Sequence, residues 1–465
     1  MSIAFYNTLS RTVEEFIPMH EAEVRMYTCG PTVYDYFHIG NARSFVMSDI
    51  IRRYFEYRGY KVTYVMNITD IDDKIINRAN EQGVPSSDIA EKYTEAFLRD
   101  TALFGIRPAD VHPRATETME EIIAHIQGLI ERGAAYAVDG DVFFRVSAFD
   151  GYGKLSRKNI EDLVVGSRVE ADPRKENPVD FALWKSAKPG EPSWDAPWGS
   201  GRPGWHIECS VMSQKFLGKS FDIHAGGNDL IFPHHENEIA QSEALTDAPF
   251  ARYWIHFGFL NIDNEKMSKS LGNFFTAREI LEKYPATVLR FYYLQTHYRS
   301  PLNFTPEGIE AAKTGLQKLQ GLYDAVRAAV SGDGAFDVEA WEQRFITAMD
   351  DDFNTPAGFG ALFEMVRDAN AVLRSDEGMA DAAREKLAAF LRRTGVELFG
   401  ILHEETEENA GGEALDGVMR LLIDIRAEAR KDKQFALSDR IRDGLKELGI
   451  ALEDGRDGTT WKYNS

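Results

Sequence analysis

Residues 24 to 71 place the tightest constraint on the fold. VRMYTCG (Val24–Gly30) is a short apolar run that ends in a Gly-Pro loop, the pattern of a buried strand. ARSFVMSDIIRRYFEYRG then repeats apolar residues at helical spacing and closes on Gly59, and KVTYVMNITDID resumes as a strand. Strand, loop, helix and strand in succession form a βαβ unit, so a parallel sheet is expected. Ligands of open α/β sheets gather beyond the strand C-termini. Chemistry is therefore expected in the loop CGPTVYDYFHIGN (Cys29–Asn41).

A chain of 465 residues is too long for one core, and two to four domains are expected. The β/α rhythm of residues 1–112 breaks over 113–204, where a helix (ATETMEEIIAHIQGLIERG), short β-like pieces (YAVDGDVFFRV) and a Pro/Gly/Trp-rich stretch read as an insertion. It returns over 205–250 in SFDIHAGGNDLIFPHHENEIAQSEA and continues through YWIHFGFLNI in 251–304. Residues 305–403 are helical in pattern, as in EGIEAAKTGLQKLQGLYDAVRAAV, and predict a bundle. EETEENAGGEA (404–414) reads as an acidic linker. Residues 413–465 read as a small α+β unit, with LSDRIRDGLKELGI as helix and EDGRDGTTWKY as hairpin.

Composition removes several functional classes. No apolar run reaches about 18 residues, which argues against a membrane span. The N-terminal residues lack a secretory pattern, and two cysteines in so long a chain fit a reducing cytosol, so a cytoplasmic location is expected. The formal charge of −21 disfavours a polyanionic partner unless a local basic surface meets it.

Cys29 itself admits four roles: nucleophile, half of a disulfide, metal ligand or buried filler. Cys209, in GWHIECS, is the other cysteine. In FPHHENE, Pro233 can open a helix that puts His234 and Glu238 on one face, four residues apart. Cys29, Cys209, His234 and Glu238 together make a donor set suited to zinc. The alternative is that both cysteines are small hydrophobes and that His234 and Glu238 form a surface pair.

Two further motifs suit phosphate. HIGN (His38–Asn41) lies between a strand and a helix N-terminus, where Gly40 lets backbone approach a ligand and His38 can donate to a charged oxygen. KMSKS (Lys266–Ser270) puts two ammonium groups in a loop, apt for a pyrophosphate leaving group. In GGND (Gly226–Asp229), Asp229 can accept from ribose hydroxyls or cap the next helix.

HIGN and KMSKS resemble the two signatures of class I aminoacyl-tRNA synthetases. YTCGPTVYDYFHIGNARS, NITDIDDKI, GWHIECS, DIHAGGNDLIFPHHENEIAQSEA and EKMSKSLGNFFT resemble the bacterial cysteinyl-tRNA synthetase family, from about residue 3 to the terminal TTW. Asn41 departs from the class signature, whose fourth residue is usually histidine.

The resemblance implies a Rossmann-type parallel-sheet catalytic domain (1–112 and 205–250) split by a connective insertion (113–204). A KMSKS and stem-contact region (251–304), a helical-bundle tRNA-binding domain (305–403) and a small α+β anticodon-recognition domain (413–465) would follow. It also implies L-cysteine, ATP with Mg²⁺, and tRNA(Cys) as substrates, and a monomer. Zinc would sit on Cys29, Cys209, His234 and Glu238. His38, Gly40, Asn41, Asp229, Lys266 and Lys269 would serve ATP, with His38, Asn41 and the two lysines catalytic. Thr69, Trp205 and His224 would line the amino-acid pocket, with His206 and His256 structural.

Residues 413–465 hold ten Lys/Arg against eleven Asp/Glu, so Arg426, Arg430, Lys431 and Lys433 can form a local patch for RNA despite the acidic whole. Two rival readings are a cysteine ligase acting on an amino-sugar, which would lack the full C-terminal RNA-binding part and would not need the Glu238 ligand, and a non-catalytic, zinc-stabilised nucleotide- or RNA-binding relative.

Overall fold

The structure is a computed structural model that describes residues 2–159, 172–262, 265–266, 274–404, 407–431, 434–448, 450–455 and 458–463. Strands β1 (Ala4–Asn7) and β2 (Thr12–Glu15) form an antiparallel hairpin. The expected βαβ unit follows as β3 (Glu23–Thr28), α1 (Ile39–Tyr57) and β4 (Lys61–Met66), then α2 (Asp73–Gln82) and α3 (Ser86–Leu103).

The insertion consists of α4 (Met119–Glu131) and an antiparallel sheet of β5 (Ala135–Val138), β6 (Asp141–Phe144), β7 (Phe181–Ser186) and β8 (Gly201–Pro203). The main fold resumes with α5 (Trp205–Leu217), β9 (Phe221–Gly227), α6 (Glu236–Thr246) and β10 (Ala251–Phe257). The main sheet has the order β10-β9-β3-β4, and every pair in it is parallel. Its strands are buried on both faces, as covering helices require. After β3 the chain crosses to β4 on one side, and β9 returns on the other. The crevice beyond the ends of β3 and β9 is therefore the topological switch point.

Beyond the sheet come β11 (Leu260–Ile262), β12 (Glu265–Lys266), α7 (Ala277–Leu281), α8 (Ala286–Leu294) and β13 (Leu302–Phe304). Four helices, α9 (Pro306–Ala328), α10 (Val338–Asp350), α11 (Thr355–Leu373) and α12 (Asp381–Leu391), form the bundle. The last elements are α13 (Glu407–Lys431), α14 (Phe435–Glu447) and the hairpin β14 (Ile450–Gly455) with β15 (Gly458–Tyr463). By packing, the chain separates into two compact units, Met1–Leu402 and His403–Ser465.

Two sequence expectations are corrected. The acidic stretch read as a linker lies mostly inside α13, which starts at Glu407. Glutamate and alanine favour helix, and two glycines at about 1 kcal/mol each do not reverse a 25-residue element. Pro233 does not open α6 either. It belongs to the short turn Ile231–His235, in which Phe232 is extended, and α6 begins at Glu236.

Helix α1 is the central strut. Its Asp49 accepts from Arg53 (3.0 Å) and from Arg290 on α8 (3.0 Å), and all three are buried. Arg53 also donates to the carbonyls of Glu397 (2.9 Å) and Gly105 (2.7 Å), and Arg290 to those of Phe399 (2.8 Å) and Phe104 (3.1 Å). One carboxylate thus neutralises two guanidiniums that join the catalytic sheet to the end of the bundle. Asp49→Asn leaves both cations uncompensated and is expected to cost about 3–5 kcal/mol. A denaturant-unfolding curve of the variant checks this.

Candidate active site

The end of β3 needs a glycine. A Cβ on Gly30 would stand 1.7 Å from the carbonyl oxygen of Asn67, so only hydrogen fits there. Gly30 N–H donates to Asn67 Oδ1 (2.8 Å), Asn67 Nδ2 donates to Thr69 Oγ1 (3.2 Å), and Thr69 donates to Glu208 on α5 (3.0 Å). This buried chain ties the segment bearing Cys29 to the helix bearing Cys209.

The four suspected metal ligands converge. One donor atom from each of Cys29, Cys209, His234 and Glu238 lies within 4.8 Å of all the others, and each residue is at most 8% exposed. The sulfurs are 3.9 Å apart, twice a disulfide bond length of about 2.05 Å, and both thiols are free. His234 Nε2 lies 3.0 Å from Glu238 Oε1, which is 3.5 Å from Cys29 Sγ.

A second, overlapping set of Cys29, His224, His235 and Glu238 meets the same distance limit. His235 was not anticipated. Its Nε2 lies 3.3 Å from Cys29 Sγ, and its Nδ1 lies 2.8 Å from His256, which in turn contacts Thr8 Oγ1 (2.8 Å). His206 Nδ1 lies 2.8 Å from His234 Nδ1. Three of the chain's eleven histidines therefore meet the Glu238 carboxylate, and His206 and His256 back two of them. The HH doublet in FPHHENE was the available signal.

Burial and charge polarise the cluster. Burial pulls the His234 imidazolium down, but the charge of Glu238 and the bond to Cys209 outweigh it and raise the pKa to about 10. Burial pushes Glu238 up, and His224 and His234 more than reverse this, to about 2. The hydrogen bond from Cys29 lowers Cys209 to about 6, whereas burial raises Cys29. Burial depresses His206 and His235 and takes His256 to about 3, so these rings stay neutral. The proton held on His234 between a thiolate and a carboxylate marks where a divalent cation would fit: binding displaces it and leaves imidazole, sulfur and oxygen as donors.

His38 is the N-cap of α1. Its Nδ1 accepts from Gly40 N–H (3.1 Å) and Asn41 N–H (3.2 Å), and Asn41 Oδ1 accepts from His38 N–H (3.4 Å). With Nδ1 accepting, the neutral ring carries its proton on Nε2 as a donor. A cavity of about 170 Å³ is lined by His38, Gly40, Asn41, Asp229, Gly258 and Phe259, among others. A second cavity shares His38, Asn41 and Asp229 and extends to Cys29. The nucleotide candidates and the metal cluster thus open onto a common space at the switch point.

The root of the KMSKS segment is stitched to this loop. Ile39 N–H donates to Phe275 O (3.2 Å), Ala277 N–H donates to Phe37 O (2.9 Å), and the Phe274 ring meets the His38 ring edge-on at 5.5 Å. Lys266 ends β12, where its backbone pairs with Asn261; Lys269 and Lys433 lie outside the described residues.

The pocket candidates differ among themselves. Trp205 is 41% exposed and lies 4.4 Å from the His234 ring, which rules out simple core filling. Thr69 is buried within its hydrogen-bond chain. His224 is fully buried, bonded to Glu238 Oε2 (2.8 Å) and stacked on Trp254 (4.4 Å), so it supports the cluster from behind. Arg426 is buried within the C-terminal unit, while Arg430 and Lys431 are exposed at the end of α13.

A parallel sheet with a crevice at its switch point, lined by the HIGN segment and stitched to the residues that follow the KMSKS segment, has the architecture of a class I aminoacyl-tRNA synthetase. The family described as tRNA synthetases class I (C) catalytic domain matches residues 15–314, and the DALR domain family matches 344–403. Cysteine–tRNA ligases of Heliobacterium modesticaldum and Thermococcus onnurineus are each 52% identical to the chain, covering 99% of it and 100% and 99% of themselves. The chain belongs to the cysteine–tRNA ligase family. Its fold is similar to a methionyl-tRNA synthetase of Mycobacterium tuberculosis solved with methionyl-adenylate (TM-score 0.59, 17% identity, 81% of this chain and 89% of that one). It is also similar to a leucyl-tRNA synthetase of Agrobacterium radiobacter solved with tRNA (TM-score 0.60, 11% identity, 83% and 85%).

Gly30→Ala must displace the Asn67 carbonyl, and with it the Asn67–Thr69–Glu208 chain. The expected cost is about 3 kcal/mol, together with loss of bound metal. Thermal melting and elemental analysis of the purified variant check both.

Proposed function

We propose that this ligase holds one zinc ion on Cys29, Cys209, His234 and Glu238 and uses it to tell cysteine from serine. The observation that carries the reading is the shared cavity, which runs from Cys29 to His38, Asn41 and Asp229. Two sulfurs, one nitrogen and one oxygen, all buried and close, are a set that zinc favours over magnesium or calcium. Zinc would supply affinity for a thiolate and little for an alcohol, a distinction that pocket shape alone makes weakly.

In the first step the cysteine carboxylate attacks the α-phosphate of ATP, forming cysteinyl-adenylate and releasing pyrophosphate. The second ligand shell is neutral imidazole, so His206, His235 and His256 orient the cluster without adding charge. The α1 N-terminus, Gly40 and the His38 Nε2–H face the triphosphate, where charge builds during displacement. Asn41 steadies His38 and can donate to phosphate. Asp229, at the end of β9, accepts from the ribose hydroxyls. Lys266 and Lys269 would hold the β- and γ-phosphates together with Mg²⁺, so positioning and charge carry the catalysis. Trp205, beside His234, and Thr69 would bound the amino-acid end.

In the second step the terminal 2′-OH of tRNA(Cys) attacks the acyl carbonyl, giving cysteinyl-tRNA and AMP. The bundle and the C-terminal unit would bind the anticodon end, with Arg430 and Lys431 supplying phosphate contacts. Among the described residues no helix is long and apolar enough to cross a membrane. A cytoplasmic monomer completes the proposal.

ATP–pyrophosphate exchange with cysteine, run beside tRNA charging and with serine as competitor, tests the reading. Both activities are expected, with serine excluded. Exchange without charging would favour an amino-sugar ligase, and neither activity a binding protein. Cys209→Ser is expected to lower zinc content and to reduce cysteine activation at least tenfold. Full zinc with normal activation would refute the metal assignment. Lys269→Ala is expected to slow exchange while leaving zinc content unchanged, as measured on the same preparations.

A further inference from the structure

Arg43 lies on the second turn of α1, next to Ser44, which lines the nucleotide cavity, and it is fully buried. Its Nη1 donates to the carbonyls of Gly258 (2.9 Å) and Phe259 (3.0 Å), and its Nη2 to those of His297 (3.1 Å) and Ser300 (2.8 Å). The Nε atom has no partner among the described residues. No carboxylate among them pairs with this guanidinium; the titratable groups acting on it are Tyr292 and Tyr293. Burial lowers its pKa to about 10, so the cation persists at neutral pH. An unpaired buried cation is expensive, and a methionine would fill the same volume without that cost. The arrangement is therefore explained by what the fork holds.

What it holds is a wall of the cavity. Gly258 and Phe259 line it on one side, and His38, Gly40 and Asn41 line it from the N-terminus of α1. The same turn is laced to residues 298–302 by backbone alone, Gly258 N–H donating to Tyr298 O (2.8 Å) and Leu302 N–H to Phe259 O (2.9 Å). The packing there is close: a Cβ on Gly258 would stand 2.3 Å from Ser300 O. Arg43 binds both backbone strips to α1 at once, using a rigid planar fork that lysine cannot reproduce.

We propose that Arg43 is a positioning residue for the nucleotide, locking the Gly258–Phe259 turn to the helix that carries His38 and Asn41 so that the ATP cavity keeps one width. The inference rests on the reading of that cavity as the ATP site. Other elements (the end of β3, α5 and α6) carry Cys29, Cys209 and Glu238 at the cysteine end, so loss of the fork acts on one substrate and spares the other.

The test measures pyrophosphate exchange as a function of ATP and of cysteine for the full-length protein, Arg43→Lys, Gly258→Ala and the double variant, with zinc content determined on each. Arg43→Lys keeps the charge and loses the fork. Gly258→Ala shifts the same turn with Arg43 intact, and it decides the question should the Arg43 variant fail to fold. Each single variant is expected to raise KM for ATP about tenfold, with KM for cysteine and zinc content within twofold of the parent. The double variant should be no worse than the worse single one, because both changes release the same turn. The proposal is overturned if KM for ATP stays within twofold, if both KM values rise together as general loosening would cause, or if the two effects multiply. Absence of exchange in the parent protein would instead remove the ATP reading itself.

Discussion

The pairing of β3 with β9 carries the geometry of the whole catalytic half. Met26, Tyr27 and Thr28 lie beside Ile223, His224 and Ala225 in parallel register, although nearly two hundred residues separate the strands. That register brings Cys29 and Gly226–Gly227 out at the same sheet edge and sets His224 under Glu238. Side chains alternate along a strand, so a slip of one residue would turn His224 to the opposite face and leave the Glu238 carboxylate with one of its two histidine partners. The insertion between the two strands has its own sheet and packs it on a core shared with α2, α5 and α6, which lets the pairing form without threading that segment through the main sheet.

Parallel topology also explains why the Cys29 cluster and the His38–Asn41 segment open onto one cavity. Every strand of the main sheet points the same way, so the loops after β3 and β9 meet at one edge, and α1 starts there with its N–H groups directed outward. The strut Asp49–Arg53–Arg290 then fixes the far half of α1 against the bundle. A single helix therefore carries the His38 cap at one end and the joint to the helical bundle beyond it.

Much of this was legible in the residues. The βαβ unit, the helical bundle and the terminal hairpin follow from periodicity, and the Cys₂HisGlu set from donor chemistry. Sequence could not supply what depends on packing. His224 lies in a strand, where neighbours on the adjacent strand and helix, and not its own flanking residues, decide that it meets Glu238 and Trp254. His206, His235 and His256 come from three elements, and only the closed fold brings them into one histidine cluster behind Cys29 and Glu238. The misread linker has the opposite cause: local glycines suggested a break, and helix propensity over a long segment outweighed them. Arg426 likewise looked like part of a basic patch until the small core of the C-terminal unit enclosed it.

A chain of net charge −21 that acts on ATP and tRNA must keep its own acids from repelling both. The structure answers by pairing or burying several acids near the cavity, with Asp229 left exposed on its lining, and by exposing backbone dipoles. Asp49 lies between two arginines, Glu238 is held by two histidines, and Asp73 at the rim is bound by Lys185 and Arg202 of the insertion. In the proposed ATP site a helix N-terminus capped by His38 would face the nucleotide, and behind the wall stands Arg43, bonded to carbonyls and, among the described residues, to no carboxylate. A field of this kind depends on placement, and whole-chain charge says little about it, because surface acids are screened within about 8 Å at physiological salt whereas buried charges are not. Negative overall charge and anionic substrates are then compatible, and the acid surplus is left to serve solubility.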